Sequence, residues 1–320
     1  MKYADGALKT TIKTAAVLVF LVFLGWGCNW FKPAALRVPE MLPAGPRPAD
    51  LDNVTPADAS KRINLVQGSQ VMLRQTYLGQ SAKQEDEKAA GSMENVRIVT
   101  IERFAPENVA SLSWKLNQRV ETDASKKARE EYLQTKPSAR PEKEPEAVTE
   151  IMTVVGGISD LNLKDGHGLY LPAYWPTEKA YSQDTSGIWL SRVVYEELTK
   201  THVSTVYANL FDQGFSARIG QSLEFSQALA AVAAEKNKIE NKIDPDLMTA
   251  ETEFSDWTLK INGKDVNVQV LKAKNWYGEI VVLNNPQNPL ILKFNLDPAV
   301  SNPFLQTLMG YEITELSGIE

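Results

Sequence analysis

The sequence predicts an α+β fold that is mainly antiparallel β, a sandwich or a partly closed barrel with one or two helices, preceded by a single N-terminal transmembrane helix. Three observations support this prediction. Residues 15–31 read AAVLVFLVFLGWGCNWF, an almost unbroken apolar run. Further along, about ten short segments alternate apolar with polar side chains between turn residues, as half-buried strands do. Residues 226–243 instead repeat apolar side chains at a period of about 3.6 residues, which favours a helix.

The apolar run decides the compartment in which the rest of the chain is expected. Residues 14–31 supply 18 positions, enough for a short helix across a hydrocarbon core of roughly 30 Å. Three lysines and one acid precede the run, and this excess of positive charge favours a short cytoplasmic N-terminus, residues 1–13. The lipid bilayer is therefore the first expected partner. The expected location is a bacterial inner membrane, with the bulk of the chain on the periplasmic side.

Two other interpretations of the apolar run stay open. A bacterial lipoprotein signal resembles Leu-x-x-Cys with a small residue before the cysteine. Gly27 and Cys28 fit the end of that pattern, but Leu24 lies one place too far away. Lipidation of Cys28 would then tether the chain in place of a helix. The third interpretation is a buried core helix, and only the first two attach the chain to a membrane.

Composition excludes some classes of function. The net charge is −6, and an acidic chain argues against nucleic acid as a partner, because phosphate binding requires basic patches. Cys28 is the only cysteine. The chain therefore has no internal disulfide, and its extracytoplasmic part has no cysteine nucleophile or cysteine-based metal site.

Two segments have the composition of exposed chain. Residues 32–60 contain six prolines and are predicted to be a linker to a β-rich extracytoplasmic domain, residues 61–320. Residues 121–147 are charged and nearly free of large apolar side chains, which predicts a flexible insertion. A short helix from Ala124 to Leu133 is compatible with it. The insertion is either a solvated loop or a docking segment.

The C-terminal third has the clearest strand pattern. Residues 257–261 and 266–270 alternate strictly between apolar and polar side chains. Asn262 and Gly263 lie between them, and this dipeptide is typical of a tight hairpin turn because both residues tolerate positive φ. A second pair of strands is expected within residues 280–296, around a turn rich in Asn and Pro.

The sequence contains no motif that places a nucleophile beside a base. A Ser-His-Asp triad would need one of the two histidines, His167 and His202. Residues 160–167 begin like a calcium loop, but Lys164 occupies a position that needs an oxygen ligand, so a tight turn is preferred. Residues 184–187 depart from the aspartic-protease Asp-Thr-Gly by one inserted serine and are interpreted as a loop before a strand. No catalytic residue, metal site or cofactor is predicted.

The candidate binding residues are aromatic side chains between residues 169 and 189. They are Tyr170, Tyr174, Trp175, Tyr181 and Trp189. Aromatic residues spaced by prolines and polar residues could recognise a glycan, a peptide or an apolar small molecule. The alternative is that they pack into the β core, and the exposure of Tyr174 and Trp175 discriminates between the two.

These features favour a non-catalytic function. We expect a membrane-anchored extracytoplasmic accessory or scaffold subunit of a bacterial envelope complex, with protein partners in that complex. The alternative function is a ligand-binding module that uses the aromatic residues for a glycan or an apolar small molecule. A hydrolase is the third hypothesis, and it requires His167 or His202 to lie beside an acid and a hydroxyl in one cleft.

Overall fold

The computed structural model describes residues 51, 54–77, 96–136, 139–172, 175, 177, 179–182, 184–209, 247–275, 278–296 and 309–319. They all belong to one unit of the chain, Leu36–Leu210 together with Ile243–Glu320. The predicted anchor of residues 14–31, the alternative lipidation site Cys28 and the predicted helix of residues 226–243 lie outside the described residues. Within the described ranges, no helix is long and apolar enough to cross a bilayer.

Strands dominate the described residues, so the prediction of a mainly β fold with few helices is confirmed. The helices described are α1 (Pro56–Lys61), α2 (Asp123–Gln134) and α3 (Arg192–Lys200). The strands described are, in chain order, β1 (Gln70–Tyr77), β2 (Val96–Ala105), β3 (Val109–Glu121), β4 (Thr149–Asn162), β5 (Gly168–Tyr170), β6 (Lys179–Tyr181), β7 (Thr185–Gly187), β8 (Val203–Thr205), β9 (Tyr207–Asn209), β10 (Leu247–Ala250), β11 (Ser255–Ile261), β12 (Lys264–Lys274), β13 (Gly278–Leu283), β14 (Ile291–Leu296) and β15 (Met309–Ser317).

The five strands from β11 to β15 form a partly closed barrel. Each of the first four pairs antiparallel with the next strand along the chain. The circle closes where β15 runs parallel to β11, with Lys260 opposite Glu315 and Ile261 opposite Leu316. The partly closed barrel is one of the two architectures that the sequence predicts.

The turn between β11 and β12 is the predicted Asn262-Gly263 hairpin. Both residues have positive φ, 46° and 80°, a conformation that Asn and Gly adopt at low cost. Asn262 Oδ1 accepts a hydrogen bond from Gly318 N (3.0 Å), and Gly263 N donates to Glu315 Oε1 (2.9 Å). The turn therefore also fastens β11 to β15 at the seam of the barrel.

The same sheet continues on both sides of the barrel. β1, β2, β3, β4 and β6 follow β15 in that spatial order, and β10 and β8 follow β12. β15 passes closely between β14 and β1 at Gly310, where a Cβ would overlap the carbonyl oxygen of Phe294. Glycine at this position therefore permits the barrel and the outer strands to share β15.

Strands β2 and β3 illustrate how alternate residues build the core. Val99 and Ile101 of β2 are buried, and their partners on β3, Trp114 and Leu112, are buried beside them. Gly156 of β4 lies opposite Trp114 and offers no side chain to compete with the indole. Because side chains alternate between the two faces of a strand, this pattern directs one face of the sheet into the hydrophobic core.

A second sheet of three parallel strands holds part of the aromatic stretch. β5 is the middle strand and pairs with β7 and β9. Helix α3 begins shortly after β7, and the Ser191 hydroxyl caps it by accepting from Val194 N (3.4 Å). Val194 and Leu198 are buried, so α3 packs its apolar face into the core.

A helix begins within the segment that the sequence predicts to be a linker, residues 32–60. Helix α1 starts there at Pro56 and ends at Lys61, and Leu51 is buried. Pro56 is compatible with the start of a helix, because the first helical position needs no backbone donor. The Thr55 side chain caps the helix by accepting from Asp58 N (3.2 Å). Proline content alone therefore does not separate this helix start from the linker.

A buried polar clip joins the segment after α1 to the barrel. Asn285, in the turn between β13 and β14, donates from Nδ2 to the carbonyl oxygens of Ser60 (3.0 Å) and Ile63 (2.9 Å). Asn288 Nδ2 also donates to the Ile63 carbonyl oxygen (3.1 Å), and its Oδ1 accepts from Trp189 Nε1 (3.0 Å). All five residues are buried. We call them the clip. Because they are buried, loss of one hydrogen bond leaves a donor or acceptor without a partner and lowers the free energy of unfolding.

Tyr195 connects α3 to the same turn and makes stability sensitive to high pH. Its hydroxyl donates to Asn284 Oδ1 (2.6 Å). Burial raises the pKa of Tyr195 from 10.0 to about 12, because the interior disfavours the phenolate. Its contribution to folding is therefore complete below pH 10 and is lost as the pH rises towards about 12.

Replacing Tyr195 by Phe is expected to lower Tm at about pH 8, where the hydrogen bond to Asn284 is lost, and to reduce the further fall in Tm between about pH 10 and 12. Burial also raises the pKa of Tyr311, so part of the fall in Tm at alkaline pH is expected in both proteins. Thermal unfolding of the two proteins across this pH range is the measurement. An equal alkaline fall in both would show that Tyr195 does not contribute to it.

Candidate functional site

The structure places the five predicted binding residues in different environments. Tyr170, Trp175 and Trp189 are buried, whereas Tyr181, on the edge strand β6, is 70% exposed. Tyr174 lies outside the described residues. Three of the five therefore pack into the domain. For these three residues, this is the packing that the sequence offered as the alternative to a binding role. Recognition through Tyr174 and Tyr181 stays a prediction.

The sequence did not single out Arg97, which lies on the buried face of β2. This residue is only 3% exposed. Its guanidinium carbon lies 4.4 Å from the ring centre of Trp114 and 5.4 Å from that of Trp175. One nitrogen, Nη1, donates to the carbonyl oxygen of Pro172. We call these four residues the arginine cage.

Three parts of the chain position the cage. Arg97 on β2 lies opposite Leu116 on β3, and Trp114 is the next residue on the same face of β3. Trp175 comes from the segment between β5 and β6. Its indole Nε1 donates to the Tyr170 carbonyl oxygen (2.7 Å), and its backbone N donates to the Pro172 carbonyl oxygen (3.3 Å). Pro172 and Trp175 are therefore hydrogen-bonded to each other, and both lie against the guanidinium.

The charge of Arg97 lies in an unfavourable environment. Burial lowers the pKa of its guanidinium from 12.5 to about 9, and the group stays charged at neutral pH. The two indole faces offset part of the desolvation, since a cation over an aromatic ring gains about 0.5–2 kcal/mol. No carboxylate of a described residue pairs with Arg97. Within the same described ranges, Arg97 Nε and Trp114 Nε1 are buried without a hydrogen-bond partner.

The two histidines lie apart from the cage, at the ends of β8. His167 Nδ1 lies 2.8 Å from the Thr205 carbonyl oxygen, which is a backbone contact. His202 has a positive φ of 61°, and its Nδ1 is buried without a partner among the described residues. The hydrolase hypothesis requires an acid and a hydroxyl beside one of these rings, and the contact of His167 is with neither. It stays a prediction.

Of the two weak motifs, one forms the turn that the sequence favours. Residues 160–167 end β4 and form a tight turn, in which Asn162 Oδ1 accepts from Lys164 N (3.0 Å) and Asp165 N (3.1 Å). Thr185–Gly187 form the short strand β7, so the interpretation of residues 184–187 as a loop before a strand is wrong. In the part of the chain that the structure describes, no group of three or more His, Cys, Asp or Glu side chains could hold a metal ion.

A helical arm extends from the hairpin of β3 and β4. The pairing of β2 with β3 ends at Leu116, whereas β3 and β4 remain paired as far as Glu121 and Thr149. Helix α2 follows, so the predicted insertion of residues 121–147 contains the helix that its sequence allows. We call residues 121–136 and 139–149 the arm. Helix α2 buries a single residue, Ser125.

Polar contacts hold the arm in place. Ser125 Oγ donates to Glu121 Oε1 (2.7 Å) and accepts from Val148 N (3.0 Å). Arg129 forms ion pairs with Glu121 (3.3 Å) and Glu144 (3.0 Å). The hydrogen bond to Glu144, and then the charge of Glu121, raise the pKa of Arg129. Arg129 therefore ties the helix both to the end of β3 and to the segment that returns to β4.

Replacing Arg129 by Ala is expected to loosen the arm without unfolding the β domain. Both of its ion pairs are lost, and α2 has little buried surface to hold it. Hydrogen–deuterium exchange is expected to become faster in residues 123–134 and to stay unchanged in β12 to β14. Lys127→Ala is the matched control, because Lys127 pairs with Glu131 inside the helix (3.9 Å). Identical exchange in R129A and K127A would contradict the assignment.

Comparison with known proteins adds no family to these observations. No protein-family model, curated protein or solved structure matches the chain. The functional proposals that follow therefore depend on the residues of this chain and on their geometry.

Proposed function

We propose that the chain is a non-catalytic scaffold subunit of a bacterial envelope complex, tethered to the inner membrane by residues 14–31. Its extracytoplasmic β domain then holds a protein partner. The tether is supported by the apolar run and by the excess of lysine before it. The partner contact is supported by one observation, an ordered arm whose helix buries only Ser125.

The arm presents apolar side chains that the domain does not cover. Leu133, near the end of α2, and Val148, just before β4, are each 60% exposed. Helix α2 also carries exposed charges of both signs, among them Lys127 and Glu131. Apolar side chains inside a polar rim are typical of contact sites between proteins. The arm therefore has the surface that the proposed partner contact requires.

The base of the arm is suited to holding a partner in a fixed position. β3 and β4 pair antiparallel from Val109 to Glu121 and from Thr149 to Asn162. The same hairpin continues through β2 and β1 into the barrel. A paired hairpin bends less than a single strand or loop, so the arm keeps its orientation relative to the sheet.

Photo-crosslinking in intact cells tests the partner contact. A photoreactive residue in place of Leu133 is expected to crosslink to one envelope protein. The same residue in place of Thr258, which is exposed on β11, is the control and is expected to give no such product. Crosslinking to that protein from both positions, or from neither, would count against a contact through the arm.

A charge substitution on the arm tests the same contact by loss of binding. Leu133→Glu is expected to reduce recovery of the crosslinked partner at least about ten-fold, because a carboxylate would be buried at an apolar contact. Gln134→Glu adds the same charge at the neighbouring exposed residue and is expected to keep the partner. Unchanged recovery with L133E would reject the arm as the contact site.

A further inference from the structure

The arginine cage contains two strong donors that the described residues leave unused. Arg97 Nε and Trp114 Nε1 are both buried, and neither has a hydrogen-bond partner there. The two side chains are in contact, with the guanidinium carbon 4.4 Å from the indole ring centre. Buried donors normally have acceptors, and a buried guanidinium normally has an anion. Two orphaned donors on touching side chains therefore indicate that an acceptor is missing at this place.

The shape of the cage selects the kind of acceptor. The guanidinium lies between two rings, 4.4 Å from the centre of Trp114 and 5.4 Å from that of Trp175. Its Nη1 already donates to Pro172, so the edge that carries Nε is the free one. A planar carboxylate binds such an edge in the plane of the guanidinium.

We propose that the arginine cage is a binding site for a carboxylate group, held by Arg97 with Trp114 Nε1 as a second donor. The inference is independent of the proposed scaffold function. The site lies on the strands that carry the arm, because Arg97 pairs with Leu116 of β3, five residues before the arm begins at Glu121. The carboxylate belongs to a small molecule or to a protein held by the arm.

The test uses the full chain purified from membranes in mild detergent, with acetate as the probe and chloride at equal ionic strength as the reference. Acetate at about ten times its Kd raises the ratio of folded to unfolded protein about eleven-fold. The expected rise in Tm over chloride is about 3 °C. Arg97→Lys is expected to abolish this rise. Trp114→Phe keeps a ring over the guanidinium and is expected to weaken acetate binding about three-fold or more.

Two controls separate the cage from other causes. Arg129→Lys changes an exposed arginine that already has carboxylate partners, and it is expected to keep the full acetate effect. Glu178→Gln removes an acid close in sequence to Trp175, and it is also expected to keep the effect. If E178Q and R97K each lower Tm strongly, and the double variant lowers it by less than the sum of the two, Glu178 is the partner of Arg97. That result would overturn the proposal. The same Tm in acetate and chloride for the wild type would overturn it too.

A further comparison distinguishes the source of the carboxylate. Native mass measurement is made on wild-type and R97K protein extracted from membranes under the same conditions. Loss of a protein partner in R97K, at an unchanged fold by circular dichroism, assigns the carboxylate to that partner. Retention of the partner together with loss of the acetate effect assigns it to a small molecule. Full retention of both in R97K contradicts the site.

Discussion

Replacing Trp189 by alanine is expected to lower the free energy of unfolding by about 3–5 kcal/mol, the range for deleting a buried tryptophan. The indole is fully buried and its Nε1 donates to Asn288 Oδ1 (3.0 Å). Its ring centre also lies 5.8 Å from that of Phe104. The substitution therefore leaves a cavity and removes one hydrogen bond of the clip. Thermal unfolding of the full chain in detergent is expected to show a Tm about 10 °C lower.

Tyr181→Ala is the matched control for the tryptophan substitution. Tyr181 belongs to the same aromatic stretch but is 70% exposed, and truncation of an exposed side chain usually changes stability by less than about 0.5 kcal/mol. A similar Tm for both variants would mean that Trp189 does not have the structural role that its burial indicates.

Replacing Asn285 by alanine is expected to cost about 3 kcal/mol of stability. The amide group donates to the Ser60 (3.0 Å) and Ile63 (2.9 Å) carbonyl oxygens, and Oδ1 accepts from Gln287 N (3.0 Å) and Asn288 N (3.2 Å). Alanine replaces none of these four contacts, and each hydrogen bond contributes roughly 0.5–1.5 kcal/mol net. Chemical denaturation followed by circular dichroism measures the loss.

Gln287→Ala separates the clip from the turn that carries it. Gln287 lies in the same turn, but its side chain is exposed, so the substitution is expected to change stability by less than about 0.5 kcal/mol. In N285A, the amide hydrogens of α1 are expected to exchange faster than in the wild type under conditions in which the barrel stays folded. An unchanged α1 in N285A would show that the clip does not hold the N-terminal segment.

Local signals were sufficient for several elements of the fold. The Asn262-Gly263 hairpin follows from two residues that tolerate positive φ, and α2 follows from a helix-compatible stretch that begins after the cap Thr122. The closing pair of the barrel, Ile261 with Leu316, could not be predicted. Its two strands are far apart in sequence, and the alternation of apolar and polar residues does not indicate which strand pairs with which.

The arginine cage was missed for a related reason. Apolar residues lie on both faces of β2, with Val96 and Ile98 on one and Val99 and Ile101 on the other, so alternation alone does not say whether the face of Arg97 is buried. The available signal is that Arg97, Val99 and Ile101 occupy alternate positions and therefore share one face of β2. Val99 and Ile101 are buried. Trp175, which covers the guanidinium, comes from a segment more than seventy positions later in the chain. Its position depends on tertiary packing, which the sequence does not give directly.

The mass of the native particle extracted from membranes with mild detergent shows whether this chain is a tethered subunit that holds a protein partner. We expect a particle that contains the chain and at least one other protein, recovered from the membrane fraction. The mass of the chain itself is expected to correspond to the full-length form or to a form lipidated at Cys28. Recovery of the chain alone as a monomer, or from the soluble fraction, would contradict the claim.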